Sequence, residues 1–208
     1  MKIDTEFLIN EYDATLPKYE KLASAIEYSL VKTIDKHGIK THSISYRIKE
    51  LSSFLDKVRR NNIEKPFEQI HDLVGFRVVC LFLPDLEEIG NIIHEEFDVF
   101  EKDDKVNDTE LNIFGYMSLH LKARLKRTSE SSNSEDINNI PFEIQVRTIA
   151  QDAWASISHY LDYKKESIIP EQLKRDFHAL SGLFYVADTH FAILRKDQSN
   201  LFFENNSK

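Results

Sequence analysis

The fold of this chain depends on one apolar stretch, His71-Asp-Leu-Val-Gly-Phe-Arg-Val-Val-Cys-Leu-Phe-Leu83, which has an acidic residue near its start. Its valines, phenylalanines and leucines are typical of a buried strand, and Pro84-Asp85 predicts the turn that ends it. Asp72 then lies at the edge of the predicted sheet, where ligands are reached. Because an unpaired carboxylate is costly to bury, we expect Asp72 to be exposed, to cap a backbone group or to hold a cation.

The composition is that of an ordinary globular protein. Of 208 residues, 41% are hydrophobic and 30% are charged, which suits one well-packed domain. No apolar run approaches the roughly 18 residues of a membrane span, so we expect no membrane partner. Residues 1–10 lack the pattern of a secretion signal, and the single Cys80 cannot form an internal disulfide. We therefore expect a cytoplasmic protein.

The net charge of −8 argues against non-specific adhesion to nucleic acid, which needs a positive surface to release counterions. Any polyanion that this protein binds must therefore meet a local cluster of cations. The positions of Lys and Arg are more informative than their number.

Hydrophobic periodicity predicts an α+β (mixed α/β) fold, with a central mixed sheet of about four or five strands flanked by helices. Alternation and β-rich composition predict strands over 43–49, 72–83, 97–100, 116–126 and 142–147. Apolar residues every three or four positions predict helices over 5–38, 50–61, 84–96, 148–163 and 170–196. Pro17 leaves open two helices in place of the first, and we expect that region to be a packing arm. The segment 101–110 is predicted to be a loop and 128–139 a surface hairpin.

The predicted domain covers residues 1–197, with its core at about 43–165, and 198–208 is predicted to be a frayed tail. Thr148 is predicted to cap the helix that follows it. The buried side of that helix is predicted to carry Ala150, Trp154, Ile157 and Leu161. The buried side of the last helix is predicted to carry Leu173, Phe177, Leu180, Phe184, Phe191 and Leu194.

Cationic side chains converge on the start of the Asp72 strand. One side of the strand 43–49 carries Ser45, Arg47 and Lys49. One face of the next helix carries Ser53, Lys57 and Arg60. A solvated surface is the simpler interpretation of one basic helix, but here the charges come from two elements and point toward the same strand.

Two acids on different predicted strands, Asp72 and Glu143, each lie next to cations. Two carboxylates that hold Mg²⁺, with Lys and Arg on phosphate oxygens, suit phosphoryl transfer, because its transition state spreads negative charge. Neither a Walker loop nor a kinase glycine loop is present, so side chains must supply the cations. His71-Asp72 is similar to the HD pair of phosphohydrolases, but the further histidines that such a site needs are absent at suitable spacing.

Five motifs follow one another at characteristic spacing: Arg47-x-Lys49-x-x-x-Ser53-x-x-x-Lys57-x-x-Arg60, Asp72-x-x-Gly75-x-Arg77, Gly115-Tyr116-x-Ser118-x-His120, Glu143-x-Gln145-x-Arg147-Thr148 and Trp154-Ala155-x-x-x-His159. Together they resemble the synthetase domain of RelA/SpoT-type alarmone synthetases. The chain has no room for a hydrolase domain or a regulatory tail, so we expect a small alarmone synthetase. The resemblance implies a fold similar to polymerase-β-type nucleotidyltransferases.

The resemblance implies transfer of the β,γ-pyrophosphate of ATP to the 3′-hydroxyl of GDP or GTP, with release of AMP. It implies that Asp72 and Glu143 hold Mg²⁺ and that Glu143 draws the proton from the attacking hydroxyl. The implied ATP ligands are Arg47 and Arg77 on the adenine, and Lys49, Ser53, Lys57 and Arg60 on the phosphates. The implied acceptor ligands are Tyr116, His120, Asp152 on the purine edge, and Gln145, which could instead orient Glu143.

One position departs from the family pattern, because Asn112 stands where the family usually has a lysine for the acceptor diphosphate. This leaves open a second acceptor, the 3′-CCA end of tRNA or an adenosine nucleotide, as in toxic relatives. Ile113-Phe114 would then stack on bases, and RNA phosphates would meet Lys122, Arg124 and Lys126, although solvated cations are the simpler interpretation of these three.

Other properties follow from the resemblance alone or are left open by it. A non-catalytic nucleotide sensor is a third interpretation, and the presence of both Asp72 and Glu143 argues against it. The family implies a homo-oligomer, often a tetramer. An antitoxin partner is left open.

Overall fold

The computed structural model describes residues 4–104, 118–126, 135–163 and 171–206. Its centre is a five-stranded sheet formed by β1 (Thr41–Ile48), β2 (Val74–Cys80), β3 (Phe97–Asp104), β4 (Leu119–Leu125) and β5 (Phe142–Thr148). The helices are α1 (Thr5–Lys36), α2 (Leu51–Asn61), α3 (Pro66–Gln69), α4 (Leu83–Glu96), α5 (Glu135–Asn138), α6 (Ile149–Tyr163) and α7 (Glu171–Asn206). The predicted fold class is confirmed. Within the described ranges, no helix has both the length and the apolar character needed to cross a membrane.

The strand order is β1-β2-β5-β4-β3, with β2 and β5 parallel and the other neighbouring pairs antiparallel. Parallel neighbours run from the same edge of a sheet, so Asp72, just before β2, and Glu143, the second residue of β5, lie near each other. One face of the sheet packs Phe76 and Ile144 into a core with α1 and α4. Because side chains alternate along a strand, the residues between these apolar positions are turned to the opposite face.

α1 is one continuous helix, so the single-helix interpretation of residues 5–38 is confirmed. The Asp4 side chain caps it by accepting from two backbone amides, and Gly38, with a φ of +71°, follows its end. Tyr12 and Tyr19 are both buried, on either side of Pro17. Packing on both sides of the proline therefore holds the helix together.

Residues 101–104 belong to β3, so the prediction that the loop begins at 101 is wrong. The charged residues of this segment resemble a loop, but they lie on an edge strand that pairs with β4 and is open to water on its other side. The remainder of the predicted loop lies outside the described residues. The predicted hairpin over 128–139 contains the short helix α5 in the part that is described.

The cap predicted for α6 is confirmed and forms a reciprocal pair. The Gln151 backbone amide donates to Thr148 Oγ1, and the Thr148 amide donates to Gln151 Oε1, each over 3.1 Å. Trp154 and Ala150 are buried as predicted, whereas Ile157 is 48% exposed, so its predicted burial is wrong. The side chain of Leu161 lies outside the described part.

α7 continues to Asn206, so the predicted end of this helix at 196 is wrong, whereas fraying of residues 198–208 stays a prediction. The side of α7 that was predicted to be buried is largely exposed. Of its described residues Phe184 is half-buried, and the exposed ones are Leu180, Phe191 and Leu194. The side chains of Leu173 and Phe177 lie outside the described part. Polar residues Ser181 and Asp188 are buried instead. α7 docks through polar contacts, with Thr148 Oγ1 donating to Asp188 Oδ2 over 2.6 Å and Arg195 pairing with Asp85.

Asp188→Asn is expected to stabilise the fold at about pH 8 by roughly 1 to 3 kcal/mol, because the amide still accepts from Thr148 but carries no charge. Burial raises the pKa of Asp188, against the opposing effect of the Thr148 hydrogen bond. A raised carboxyl pKa costs stability above that value, and the cost disappears below the ordinary aspartate pKa of about 3.9. Thermal unfolding between about pH 8 and pH 4 should therefore show a gain that shrinks toward acid.

The matched control for this prediction is Asp176→Asn, an exposed aspartate on the same helix. It should show no such pH-dependent gain. Cys80 lies near Asp188, but burial and then the charge of Asp85 raise the pKa of its thiol to about 12, so it stays protonated throughout the scan. An Asp188→Asn gain that is constant with pH would contradict the proposed cost of the buried charge.

Candidate active site

Two cross-strand rows of side chains line the face of the sheet opposite the core. The first row runs from β1 to β3 through Arg47, Gly75, Glu143, Lys122 and Glu101. The second row runs beside it through Ser45, Arg77, Gln145, His120 and Asp103. Residues two apart on a strand share a face, so the register brings both rows onto one surface.

Two adjoining cavities open on this surface, and Asp72, Glu143 and Gln145 line both of them. The β1-side cavity, of about 270 Å³, also has in its lining Ser45, Arg47, Gly75 and Arg77. The β3-side cavity, of about 390 Å³, also has in its lining Lys57, Gln69, His71, Glu101, Asp103, His120 and Lys122. The two acids therefore lie at the junction between two spaces, which suits a reaction between two bound molecules.

Asp72 is held by two lysines from different elements. Lys49 Nζ lies 2.9 Å from Asp72 Oδ2, and Lys57 Nζ lies 2.9 Å from Asp72 Oδ1. Burial of Asp72 acts to raise its pKa, but the hydrogen bonds and charges of both lysines outweigh burial and lower the pKa. The carboxylate is ionised at neutral pH and paired with cations, which is one of the outcomes expected from its sequence position.

Glu143 is held by its neighbours across and along the sheet. His120 Nδ1 lies 2.8 Å from Glu143 Oε1, and Gln145 Nε2 donates to Glu143 Oε2 over 3.1 Å. Burial and the nearby charge of Asp72 act to raise the pKa of Glu143, but His120 and Gln145 lower it overall. Glu143 is therefore an ionised carboxylate in a fixed orientation, which is the form that accepts a proton.

A polar chain extends from Gln145 to the start of α6. Arg147 donates to Gln145 Oε1 over 2.7 Å and to Asp152 Oδ1 over 3.2 Å, while Arg77 lies 3.3 Å from the same Oδ1. Arg147 is buried, and burial followed by the charge of Arg77 lowers its pKa to about 10. It remains a cation at neutral pH. Arg147 thus links the orientation of Gln145, and through it Glu143, to the position of Asp152.

The structure brings together most of the predicted site residues but not all of them. Arg47, Lys57, Arg77, Glu143 and His120 all line a cavity. Ser53 and Arg60 are exposed on α2 and line neither one, so their ATP-phosphate role stays a prediction. The predicted acceptor ligand Tyr116, like Asn112, lies outside the described residues.

Two residues of the β3-side cavity, Glu101 and Asp103, were not predicted from the sequence. A β-bulge between Val99 and Glu101 leaves Phe100 as the extra residue in β3. Without the bulge, Glu101 would lie on the core-facing side of the sheet with Val99. Because of the bulge, Glu101 lies opposite Lys122 and Asp103 lies opposite His120. Period-two spacing continued from Val99 would have placed both residues on the core-facing side, so the sequence pattern carried no signal for this position.

The cations of β4 are engaged by the protein itself. Lys122 pairs with Glu101 at 2.5 Å. Arg124 donates to the Asn139 carbonyl, and its guanidinium lies 4.4 Å from the centre of the Phe100 ring. Lys126 donates to carbonyls at the end of α4. These contacts leave little free positive charge along the strand for a nucleic-acid backbone.

The donor set at the junction of the cavities fits a hard divalent cation. Mg²⁺ in nucleotide enzymes takes one or two carboxylates and completes its shell with water and phosphate oxygens. Asp72 and Glu143 supply two ionised carboxylates close enough for the charge of one to act on the pKa of the other. In the described ranges no group of three or more His, Cys, Asp or Glu is arranged to hold a metal ion, so the substrate phosphates would have to share in the coordination.

Fold and site together define a nucleotide-handling transferase with two substrate spaces. Residues 46–168 match the family described as the region found in RelA and SpoT proteins, and the chain belongs to this family. The resemblance inferred from the five motifs is thereby confirmed.

Curated relatives and solved structures agree with this assignment. GTP pyrophosphokinase YwaC of Bacillus subtilis is 29% identical over 177 residues, covering 82% of this chain and 80% of that protein. GTP pyrophosphokinase YjbM of the same organism is 30% identical over 161 residues, covering 77% and 67%. The crystal structure of small alarmone synthetase 1 from Bacillus subtilis has a TM-score of 0.77 at 24% identity, covering 92% of this chain and 99% of that one. The same synthetase bound to its product pppGpp has a TM-score of 0.73 at 25% identity, covering 90% and 97%.

Proposed function

We propose that this chain is a GTP pyrophosphokinase that transfers the β,γ-pyrophosphate of ATP to the 3′-hydroxyl of GDP or GTP. The products are a guanosine 3′-pyrophosphate alarmone and AMP. The observation that carries the proposal is the placement of Asp72 and Glu143 between two cavities, each with its own cations. The relatives named as GTP pyrophosphokinases support the same reaction.

Glu143 is the base in the proposed mechanism. Its carboxylate, oriented by His120 and Gln145, takes the proton as the 3′-oxygen of the acceptor attacks the β-phosphorus of ATP. The bond from the bridging oxygen to the β-phosphorus breaks, and AMP leaves with that oxygen. Holding both substrates in adjacent spaces makes the attack effectively intramolecular, which is a large part of the rate enhancement.

Asp72 and Glu143 are also the side chains that would hold Mg²⁺, which when bound neutralises charge on the transferred phosphates. Lys49 and Lys57 meet the same carboxylate, so they lie where the ATP phosphates would arrive. Lysine acts there as a mobile point charge that can be shared between a carboxylate and a phosphate.

The β1-side cavity is proposed to hold ATP, and the β3-side cavity the acceptor. Arg47 lies across Gly75, whose missing side chain leaves the sheet surface open beneath it. A guanidinium in that position can stack on a purine, and Arg77 lies in the same cavity. Asp152 lines neither cavity, and both of its arginine contacts use Oδ1, so its contact with the purine edge of the acceptor stays a prediction.

A tRNA end as the acceptor has less support. The proposed RNA contacts of Lys122, Arg124 and Lys126 would require these side chains to leave partners that they already have in the protein.

We further propose that residues 1–197 act as one synthetase domain in the cytoplasm, where the buried, unpaired Cys80 stays reduced. A homo-oligomer, such as a tetramer, would cover apolar residues that α7 exposes, among them Leu180, Leu183 and Leu194. An antitoxin partner stays a prediction.

The proposal is tested by incubating the protein with γ-labelled ATP and Mg²⁺ and, separately, GDP, GTP, ADP or deacylated tRNA. Label is expected on GDP or GTP only, with one AMP released per labelled product. Label on tRNA alone would overturn the proposal in favour of the toxic relative. Label on no acceptor would favour a nucleotide sensor.

A further inference from the structure

The hydroxyl of Tyr12 links the N-terminal helix to the candidate site. Tyr12 is 5% exposed, and its Oη donates to the backbone carbonyl of Lys49 over 2.6 Å, a short and well-defined hydrogen bond. α1 packs on the domain chiefly through apolar residues, as expected of a packing arm, and Ser29 Oγ also donates to Glu96 on α4. This bond is directed at a residue that touches the catalytic carboxylate.

Lys49 is a junction between three parts of the site. Its backbone amide donates to the Leu73 carbonyl over 2.8 Å, and its Nζ lies 2.9 Å from Asp72 Oδ2. The side chain and the amide of Lys49 thus hold two consecutive residues at the start of β2. Its carbonyl is held in turn by Tyr12, so the hydroxyl fixes the turn from which the lysine reaches Asp72.

The ring of Tyr12 supports the second lysine of the pair. Its centre lies 5.8 Å from that of Phe54, which is fully buried on α2. Lys57 follows Phe54 by three residues, about one helical turn, and lies 2.9 Å from Asp72 Oδ1. Tyr12 therefore contacts both the backbone of Lys49 and the helix that carries Lys57, the two lysines that pair with Asp72.

We propose that Tyr12 is a positioning residue of the pyrophosphate transfer, which sets Lys49 and Lys57 against Asp72, where the ATP phosphates are proposed to lie. The inference rests on the proposed function. Burial, followed by the charges of Asp13 and Glu50, raises the pKa of the Tyr12 phenol, so the hydroxyl keeps its proton and remains a donor. Small displacements of positioning groups reduce rate because reacting atoms must be held in a narrow range of geometry.

Tyr12→Phe tests this, because it removes the hydroxyl and keeps the ring. Affinity for an ATP analogue with a methylene between the α- and β-phosphorus atoms is measured by calorimetry with Mg²⁺ present. The Kd of the analogue and the KM for ATP are each expected to rise about fivefold, the usual effect of one lost hydrogen bond. The KM for GDP should rise less than the KM for ATP, because most residues that line the acceptor cavity lie on β3, β4 and β5, and Lys57 is the one lysine supported by Tyr12 that lines it.

Tyr19→Phe is the matched control. Tyr19 lies two turns along the same helix, is equally buried and packs edge-on against Tyr12. The hydrogen bond to the Lys49 carbonyl is made by Tyr12 and not by Tyr19. Tyr19→Phe should leave both substrate constants unchanged.

The outcomes separate the inference from the function that it rests on. If the unmodified protein labels no guanosine nucleotide, the proposed function fails. Suppose instead that the unmodified protein labels GDP or GTP. If Tyr12→Phe then lowers only the Tm, with the Kd of the analogue and the KM for ATP unchanged, Tyr12 has a structural role and the inference is overturned. Equal rises in the KM for ATP and for GDP would also overturn it, because they would mean a general loosening of the fold.

Discussion

Glu143→Gln is expected to lower kcat for pyrophosphate transfer by about a thousandfold or more, with the fold retained. The amide has nearly the shape of the carboxylate and can still hydrogen bond to His120 and Gln145, but it accepts no proton from a hydroxyl and brings no charge to a cation. A positioned general base alone contributes about 10²- to 10⁴-fold. Steady-state transfer from ATP to GDP, with thermal unfolding of the same preparations, measures both parts of the expectation.

Glu88→Gln provides the control for the loss of one negative charge. Glu88 is exposed on α4 and lines neither cavity of the site, so this variant should retain normal turnover. If Glu143→Gln keeps kcat within about tenfold of the parent protein, neither proton removal nor cation binding can depend on this carboxylate.

Asp72→Asn is expected to abolish transfer to a similar extent and to destabilise the fold by roughly 1 to 3 kcal/mol. The loss of activity follows from its proposed place beside the cation and the ATP phosphates. The loss of stability follows because Lys49 and Lys57, each 2.9 Å from a carboxylate oxygen, would be left facing each other without the negative charge between them. The ion pair is partly screened, since the Asp72 side chain is 21% exposed, so the effect is smaller than for a fully buried pair.

The pH dependence of that loss has a definite sign. The lysines lower the pKa of Asp72 in the folded state, so its charge stabilises the fold at every pH above the ordinary aspartate value of about 3.9. The difference in Tm between the parent protein and Asp72→Asn should be constant near neutral pH and should disappear as pH falls through the lowered pKa. A difference that grows toward acid would contradict the lysine pairing.

A second substitution separates the two effects of Asp72. Lys57→Met, made in the Asp72→Asn background, removes one of the two unpaired cations and should restore part of the lost stability without restoring activity. Retained turnover in Asp72→Asn would remove its assignment as a cation ligand, whatever the stability.

The elements of the fold could be read largely from local patterns. Period-two alternation placed strands at 43–49 and 142–147 within a few residues of β1 and β5, and Thr148 was identified as the cap of α6. These predictions hold because the pattern records which side of an element is buried, and this depends on residues close in sequence. Motif spacing likewise identified Asp72 and Glu143, because the chemistry of two carboxylates among cations constrains residue types strongly.

The register of the sheet decided how those residues meet. Parallel pairing of β2 with β5 sets Gly75 against Glu143 and Arg77 against Gln145, which brings two distant motifs to one surface. The bulge at Phe100 then turns Glu101 and Asp103 toward the same cavity. Charged residues of an edge strand look like a loop in sequence, since the hydrogen bonds that make them a strand come from a partner elsewhere in the chain.

Sequence alone therefore determined the fold class, the family and the acids at the centre of the site, because each depends on residue type and short-range spacing. Tertiary structure alone decided that α7 buries Asp188 rather than Leu180 and Leu194, and that Tyr12 holds Lys49, 37 residues further along. Such contacts depend on which surfaces the packed elements bring together. An amphipathic pattern indicates that a side chain is buried, but the partner that it meets is set only when the whole chain has folded.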